Sequence, residues 1–463
     1  MASFSIKKVC NSVIAKLLET HNFDSNTEKN DFIHCDKATI YLLYQCLKDV
    51  FHVTSEEIPM ILIKATSLVD YAVEKLHAYP YKDVPMSWRR LHTDASLLKS
   101  VCEILLILNF KDKNSWKQVI KTLDMALVMT GAPGNNRKEM IFNLIEETEK
   151  ILRELEQIND HSTIQSTSLK RTIDDNSIKN IPHKKSKANV TKVHNIPIIN
   201  NPLLKIPQPS LTTFASHITS LNPTPFIIDS CISHWPALST RPWSNLDYLL
   251  NIIGKERIVP IEIGAKYTDD TWTQKLMNVG EFIEKWVKNS IDDDDKIAYL
   301  AQHDLFAQIP RLKDDIMIPD YCFVDTNPFI IGIGDDGDSG SGSIQYLPPQ
   351  EVITNAWLGP KGTISPMHTD PYHNLLAQVI GQKYIRLYSP NETSKLYPFE
   401  QDGLLGNTSQ VEVESPDLER FPLFSSALYQ ECILKPGELL YIPPGWWHYV
   451  RSLDVSFSVS FWF

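Results

Sequence analysis

The spacing of apolar residues changes along this chain. Up to about residue 158 they recur three and four apart, in ATIYLLYQCLKDVF, IPMILIKATSLVDYAVEKLHA and ASLLKSVCEILLIL. In KEMIFNLIEETEKILRELEQI the residues Ile141, Leu144, Ile145, Leu152 and Leu155 share one helical face. The pattern predicts stacked amphipathic helices over residues 1–158, an accessory domain for docking or stability. A solenoid of helical repeats is the alternative, without a clean fixed period to support it. Residues 159–206 lose the periodicity and are rich in Ser, Thr, Asn, Lys and Pro, the composition of a flexible basic linker.

From residue 207 to 463 the signals are those of strands: PFIIDS, RIVPIEIG, LLAQVIG, KYIRLYS, ELLYIP and DVSFSVSFWF, separated by Gly and Pro turns. In the last, Val455, Phe457, Val459 and Phe461 alternate with Ser456, Ser458 and Ser460, which predicts an apolar face and a small polar face lining a cavity. The fold class is therefore α+β and multidomain, helices first and a β-sandwich or barrel last. GIGDDGDSGSGSIQ reads as a mobile acidic loop between strands; it mimics part of a calcium loop but lacks the closing glutamate.

Composition narrows the partners. A length of 463 residues fits two or three folding units. The net charge of -11 argues against direct binding of nucleic acid, which needs a basic surface, and suits cationic partners. One local exception stands in the linker, where Lys170 and Arg171 precede Lys184, Lys185 and Lys187 with the spacing of a two-part nuclear import signal. It points to the nucleus, with the cytoplasm as a second location. Seven cysteines without CxxC spacing argue against a disulfide framework or zinc ribbon, and for a reducing compartment. No signal-peptide pattern and no run of about eighteen apolar residues is present, so a soluble protein without membrane contact is expected.

The chemistry concentrates in GTISPMHTDPYHN. On an extended segment, side chains at i and i+2 project to one face, so His368 and Asp370 offer an imidazole and a carboxylate to one point. KPGELLYIPPGWWHYV supplies His448 after a Pro-Pro-Gly turn. Two histidines and one carboxylate leave open positions on a metal, the arrangement of non-haem Fe(II) oxygenases, although zinc, cobalt, nickel or manganese would also be tolerated. An isolated HxD is more often surface decoration or a satisfied core pair; the weight comes from co-occurrence. Lys383 opens the strand after the Gly381-Gln382 turn, where a buried ammonium needs an anion; its bland alternative is a strand-edge lysine with a solvated head. Glu262, Trp272 and Trp357 combine a carboxylate with indoles, a set that can clamp a guanidinium, against the commoner reading of solvated acid and core aromatics.

NAWLGPKGTISPMHTDPYHNLLAQVIGQKYIRLYSP, PGELLYIPPGWWHYV and SFSVSFWF together resemble the JmjC domain of 2-oxoglutarate oxygenases, in the branch described both as lysine demethylases and as arginyl hydroxylases. The resemblance is strong over residues 207–463 and looser in the helical part, through VPMSWRRLHTDA. It implies a double-stranded β-helix (a jelly-roll, cupin-like JmjC barrel) with Fe(II) held by His368, Asp370 and His448 as the catalytic metal centre. It further implies that 2-oxoglutarate chelates the iron and reaches Lys383, with Tyr299, Ser365, Asn374 and Trp462 completing that pocket. O2 would then be used to oxidise a substrate C–H while 2-oxoglutarate is split to succinate and CO2, and Glu262, Trp272 and Trp357 would recognise arginine. Without the resemblance, Tyr299 and Asn374 read as ordinary core and turn residues. The favoured activity is hydroxylation of arginine in a protein or peptide. Alternatives are methyl-lysine demethylation, histone-tail cleavage, for which no HExxH is present, and a non-enzymatic chromatin scaffold, which has no need of the four intact residues. A cupin-type isomerase or zinc hydrolase would not require the lysine. The partner implied is an arginine- or methyl-lysine-bearing protein, histone, otherwise chromatin-associated, or ribosomal.

Overall fold

The computed structural model describes residues 2–20, 32–52, 56–80, 83–110, 112–167, 196–264, 266–269, 272–288, 297–326, 329–332, 343–400 and 405–463. The chain forms two compact units, Met1–Ala188 with Glu256–Ile258, and Asn189–Lys255 with Val259–Phe463. The basic residues between 170 and 187 lie outside the described residues, as do residues 333–342 of the acidic glycine-rich stretch.

The first unit is helical: α1 (Ala2–Thr20), α2 (Lys37–His52), α3 (Ile58–His77), α4 (Met86–Ile107), α5 (Lys113–Thr130) and α6 (Arg137–Thr167). Helix α5 shows why these segments start and stop where they do. Asp112 accepts from the backbone N–H groups of Asn114 and Ser115, and Gly131, at φ 70°, closes the helix with a bond to the Leu127 carbonyl. On α6 the apolar face read from the sequence is buried at Ile141, Leu144, Ile145 and Leu152, and the helix runs on to Thr167. Inside the bundle, buried Asp94 pairs with Arg137 at 2.9 Å and with Arg90 at 3.1 Å. Removing Asp94 would take the shared carboxylate from two buried guanidinium groups.

The second unit contains β1 (Lys205–Ile206), β2 (Phe226–Ile228), β3 (Ile258–Ile263), β4 (Thr273–Asn278), β5 (Ala298–His303), β6 (Phe329–Gly332), β7 (Ser343–Tyr346), β8 (Ile353–Gly359), β9 (Ile364–His368), β10 (Asn374–Ile380), β11 (Lys383–Tyr388), β12 (Tyr429–Leu434), β13 (Leu439–Ile442), β14 (Trp447–Ser452) and β15 (Ser456–Trp462). Among the described residues these form a large sheet, β1-β2-β13-β10-β15-β8-β5-β3-β4, a small sheet, β12-β11-β14-β9, and the hairpin β6-β7. The two sheets face each other across one core: Leu376, Leu440 and Ile442 of the large sheet pack with Ile385, Leu387, Leu434 and Val450 of the small one. This is the expected α+β chain ending in a jelly roll.

Strict alternation sorts side chains to three places. On β11, Ile385 and Leu387 point between the sheets, which carries Lys383 inward as well, whereas Tyr384 and Tyr388 pack outside with Phe421 and Phe424. On β15, Phe457, Val459 and Phe461 join the outer core beneath the helices Leu211–Ile218 and Leu246–Ile253. The serine face of β15 corrects an expectation, because it does not line the cavity. Its hydroxyls are buried in hydrogen bonds, Ser458 to Gln378 at 2.7 Å, Gln378 to Ser456 at 3.0 Å and Trp357 to Ser460 at 2.9 Å. Small polar residues here accept the polar ends of larger neighbours, and of that face Trp462 is the one that reaches open space.

Candidate active site

Strand pairing brings the three metal-ligand candidates together. His368 ends β9 directly opposite His448 on β14. Asp370 sits in the turn after β9, and its carbonyl accepts from the Gly445 N–H at 2.9 Å, so the HxD turn and the Pro-Pro-Gly turn hold each other. The His368 Nε2 lies 3.9 Å and the His448 Nε2 3.5 Å from the Asp370 carboxylate. One ligand atom from each residue falls within 4.8 Å of the others.

Each imidazole is oriented by its own strand. His368 Nδ1 bonds the Pro366 carbonyl at 2.7 Å and His448 Nδ1 the Trp446 carbonyl at 3.0 Å. A ring that donates from Nδ1 to a carbonyl keeps its Nε2 lone pair for a metal. Burial and the neighbouring His448 ring push the His368 pKa down to about 4, favouring the neutral ligand form. For His448, burial works against the imidazolium, but the hydrogen bond and charge of Asp370 outweigh it and hold the pKa above its ordinary value. Asp370 itself stays ionised despite burial, because both histidines lower its pKa. The donor set therefore suits a divalent cation such as Fe(II).

Deeper between the sheets, Lys383 is 2% exposed and donates to the Tyr299 hydroxyl at 3.2 Å. Among the described residues no carboxylate lies within ion-pair distance of it, and burial pushes its pKa down to about 7. Tyr299 in turn hydrogen-bonds Ser365. Asn374 and Trp462, opposite each other on β10 and β15, are both buried with Asn374 Oδ1 and Trp462 Nε1 unpartnered. A buried ammonium beside a phenol, together with the unpartnered indole N–H of Trp462, offers donors that fit a small carboxylate-bearing cosubstrate such as 2-oxoglutarate.

A cavity of about 1130 Å³ opens on this centre. Glu262, Trp272, Trp357, Tyr299, Ser365 and Trp462 line it along with His368 and Asp370. Asn374, Lys383 and His448 do not; they are buried in the strands. Glu262, opposite Tyr299 across β3 and β5, accepts from Trp272 Nε1 at 3.3 Å, and burial raises its carboxyl pKa. Among the described lining residues the charged side chains are Glu262, Asp370 and Glu400, without a lysine or arginine.

Residues that sequence reading did not single out also line the cavity. Tyr267 and Thr408 meet there, their hydroxyls 3.2 Å apart. Gln302, at φ 47°, occupies a bulge in β5 where the register shifts between Leu300, opposite Leu358, and His303, opposite Ala356. The bulge thus faces Trp357 and turns an exposed amide to the cavity mouth. Asn355, within the NAWLG stretch, does not line the cavity but is buried with Nδ2 unpartnered. None of these had a signal in residue spacing, since a bulge or a loop meeting depends on the partner strand.

Residues 212–463 match the cupin-like domain family. The chain is 41% identical over 410 residues to lysine-specific demethylase 8 of Danio rerio, covering 87% of this chain and 88% of that protein. The chain belongs to the JmjC oxygenase family. Similarity to lysine-specific demethylase JMJ30 of Arabidopsis thaliana is 34% over 396 residues, 85% of this chain and 84% of that one. With Jumonji C domain-containing protein 5 of Drosophila melanogaster it is 43% over 261 residues, 56% of this chain and 59% of that one. This JmjC oxygenase fits the demethylase 8 and JmjC protein 5 branch, and is a 2-oxoglutarate- and Fe(II)-dependent dioxygenase. The JmjC cofactor pair supplies the oxidising power for a substrate C–H; the chain supplies orientation, charge and exclusion of water.

Proposed function

We propose that this JmjC oxygenase hydroxylates arginine side chains in proteins. The observation that carries the reading is Glu262: a half-buried carboxylate with an indole N–H as its hydrogen-bond donor, in a cavity that also holds Trp272 and Trp357 and, among the described lining residues, no lysine or arginine. A guanidinium can pair with that carboxylate and stack on indole, satisfying both its charge and its planar faces. His368, Asp370 and His448 would hold Fe(II), which with O2 and 2-oxoglutarate supplies the oxidant. Lys383 would anchor the distal carboxylate of 2-oxoglutarate, with Tyr299, Ser365, Asn374 and Trp462 around it. Glu262 and the indoles keep the target C–H toward the metal centre and the charged end away from it.

Methyl-lysine demethylation is the second reading. It is favoured by the names of the relatives and by Tyr267, which adds a third aromatic to Trp272 and Trp357 around Glu262, a set that also suits a methylammonium. The protein partner would be a histone, another chromatin-associated protein or a ribosomal protein. The basic residues between 170 and 187 and the demethylase names of the relatives support a nuclear location, with the cytoplasm second.

The test is incubation of the Fe(II)-loaded chain with 2-oxoglutarate and arginine or methyl-lysine peptides, products being read by mass spectrometry. Gain of one oxygen on arginine, lost in His368→Ala, is the expected result. Loss of a methyl with formaldehyde would replace it by demethylation, and absence of both product and succinate would leave a scaffold.

A further inference from the structure

Two segments that carry no metal ligand meet across the cavity. One lies between β3 and β4, includes residues 266–269, and leads to Trp272, which bonds Glu262. The other, residues 405–412, runs along the outer edge of β9. Its backbone is zipped to the residues flanking His368: Thr369 N–H donates to the Asn407 carbonyl at 2.9 Å, and Ser409 N–H to the Met367 carbonyl at 2.8 Å. His368 and Thr408 are bridge partners, and the Asn407 amide adds a bond to the Thr369 carbonyl at 2.9 Å. The second segment is thus an added edge strand whose position follows that of a metal-ligand candidate.

Side chains join the two segments at two points. The Tyr267 hydroxyl lies 3.2 Å from the Thr408 hydroxyl, and the Lys266 ammonium pairs with the Glu412 carboxylate. The first of these faces the cavity, with Tyr267 within electrostatic reach of both Glu262 and Asp370. Lining the same cavity as Glu262 and Asp370, and in electrostatic reach of both, Tyr267 is placed to hold substrate and metal-ligand residues in one arrangement.

We infer that Tyr267 is a positioning residue for the oxidation: its hydroxyl bond to Thr408 ties the segment leading to Trp272 to the segment paired with His368, holding substrate side chain and metal centre in one frame. This rests on the reading of Glu262, Trp272 and Trp357 as the substrate clamp. Turnover of 2-oxoglutarate does not need the tie, whereas transfer of oxygen to the substrate does. A displacement of about 1 Å between a bound group and its oxidant costs on the order of 10²-fold in rate. Breaking the tie therefore separates the two outputs.

The experiment compares Tyr267→Phe, Thr408→Val, their double variant and Thr408→Ser in the full chain. Succinate and oxidised peptide are measured together on whichever arginine or methyl-lysine peptide the wild type modifies. Oxidised peptide per succinate is expected to fall ~10-fold or more in Tyr267→Phe and Thr408→Val. The double variant should be no worse than either single change, because both remove one shared bond. Thr408→Ser, which keeps a hydroxyl, should retain the ratio; succinate formed without peptide is measured for each variant, so that the ratio reports coupling and not a loss of 2-oxoglutarate turnover. A second readout needs no cofactor: hydrogen exchange at the Thr369 and Ser409 amides should quicken in Tyr267→Phe and Thr408→Val but not in Thr408→Ser. An unchanged product ratio in Tyr267→Phe, or a fall matched by succinate, overturns the inference. Should the wild type modify no peptide, the substrate reading is what fails, and unchanged exchange would overturn the tie independently.

Discussion

Lys383 is the residue whose energetics say most about function. Holding a lysine between two sheets beside a phenol is unfavourable for the ligand-free fold, and becomes favourable once a carboxylate arrives. Lys383→Met should therefore raise the KM for 2-oxoglutarate by about 10- to 100-fold, the loss of a charged hydrogen bond of about 1.5–3 kcal/mol. The same variant should melt higher than the wild type without ligand, by ~2 °C or more, in a thermal scan. The pH dependence has a definite sign. As the proposed anchor of the cosubstrate carboxylate, Lys383 would act as the ammonium, and burial holds its pKa down at about 7. Affinity for 2-oxoglutarate should fall above that pH by up to about tenfold per unit, as titration calorimetry at several pH values would register. Tyr299, the group that faces the ammonium, does not compensate, since burial keeps its phenol protonated over this range. For Glu262, exchange to Gln keeps shape but removes charge. Peptide KM should rise ~10-fold while the KM for 2-oxoglutarate stays, the split that follows from the proposed contact of this acid with the peptide alone. His368, Asp370 and His448 were legible from spacing and turn context; Tyr267, Thr408 and Gln302 were not, because nothing local marks them.

Among the elements, alternation did most of the positioning. On β11 the period of two that sends Tyr384 and Tyr388 outward sends Lys383 inward, provided that the strand starts in the right register. Gly381 sets that register. It turns β10 into β11 at φ 65°, and a Cβ there would run into the Val455 carbonyl oxygen and the Asp454 carboxylate that accepts from Gln382 N–H. Gly381→Ala should destabilise the barrel by about 2 kcal/mol or more, through left-handed strain and backbone collision, and weaken 2-oxoglutarate binding with it. A denaturant midpoint and a binding isotherm on the same sample would check both. The serine face of β15 shows the limit of pattern reading. Alternation placed Ser456, Ser458 and Ser460 inward, but what they meet there, Gln378 and the Trp357 indole, is decided by β10 and β8.

At the scale of the molecule, each unit has its own hydrophobic core, one of helices and one of sheets and covering helices. Adding Mn(II) with 2-oxoglutarate at about 100 times Kd should stabilise the protein by about 2.7 kcal/mol in calorimetry, and Asp370→Ala should lose the effect. The sequence by itself determined the helical and strand periods, the inward or outward side of strand residues and the HxD pair, since these depend on neighbours one to four positions apart. The tertiary structure decided which inward residues meet. β9 lies beside β14, β5 beside β8 and residues 405–412 beside β9, none of them sequence neighbours. Only that pairing gathers Glu262, Tyr267, Trp357 and the metal-ligand candidates around one cavity, because convergence is a property of strand order and register, which no local pattern encodes.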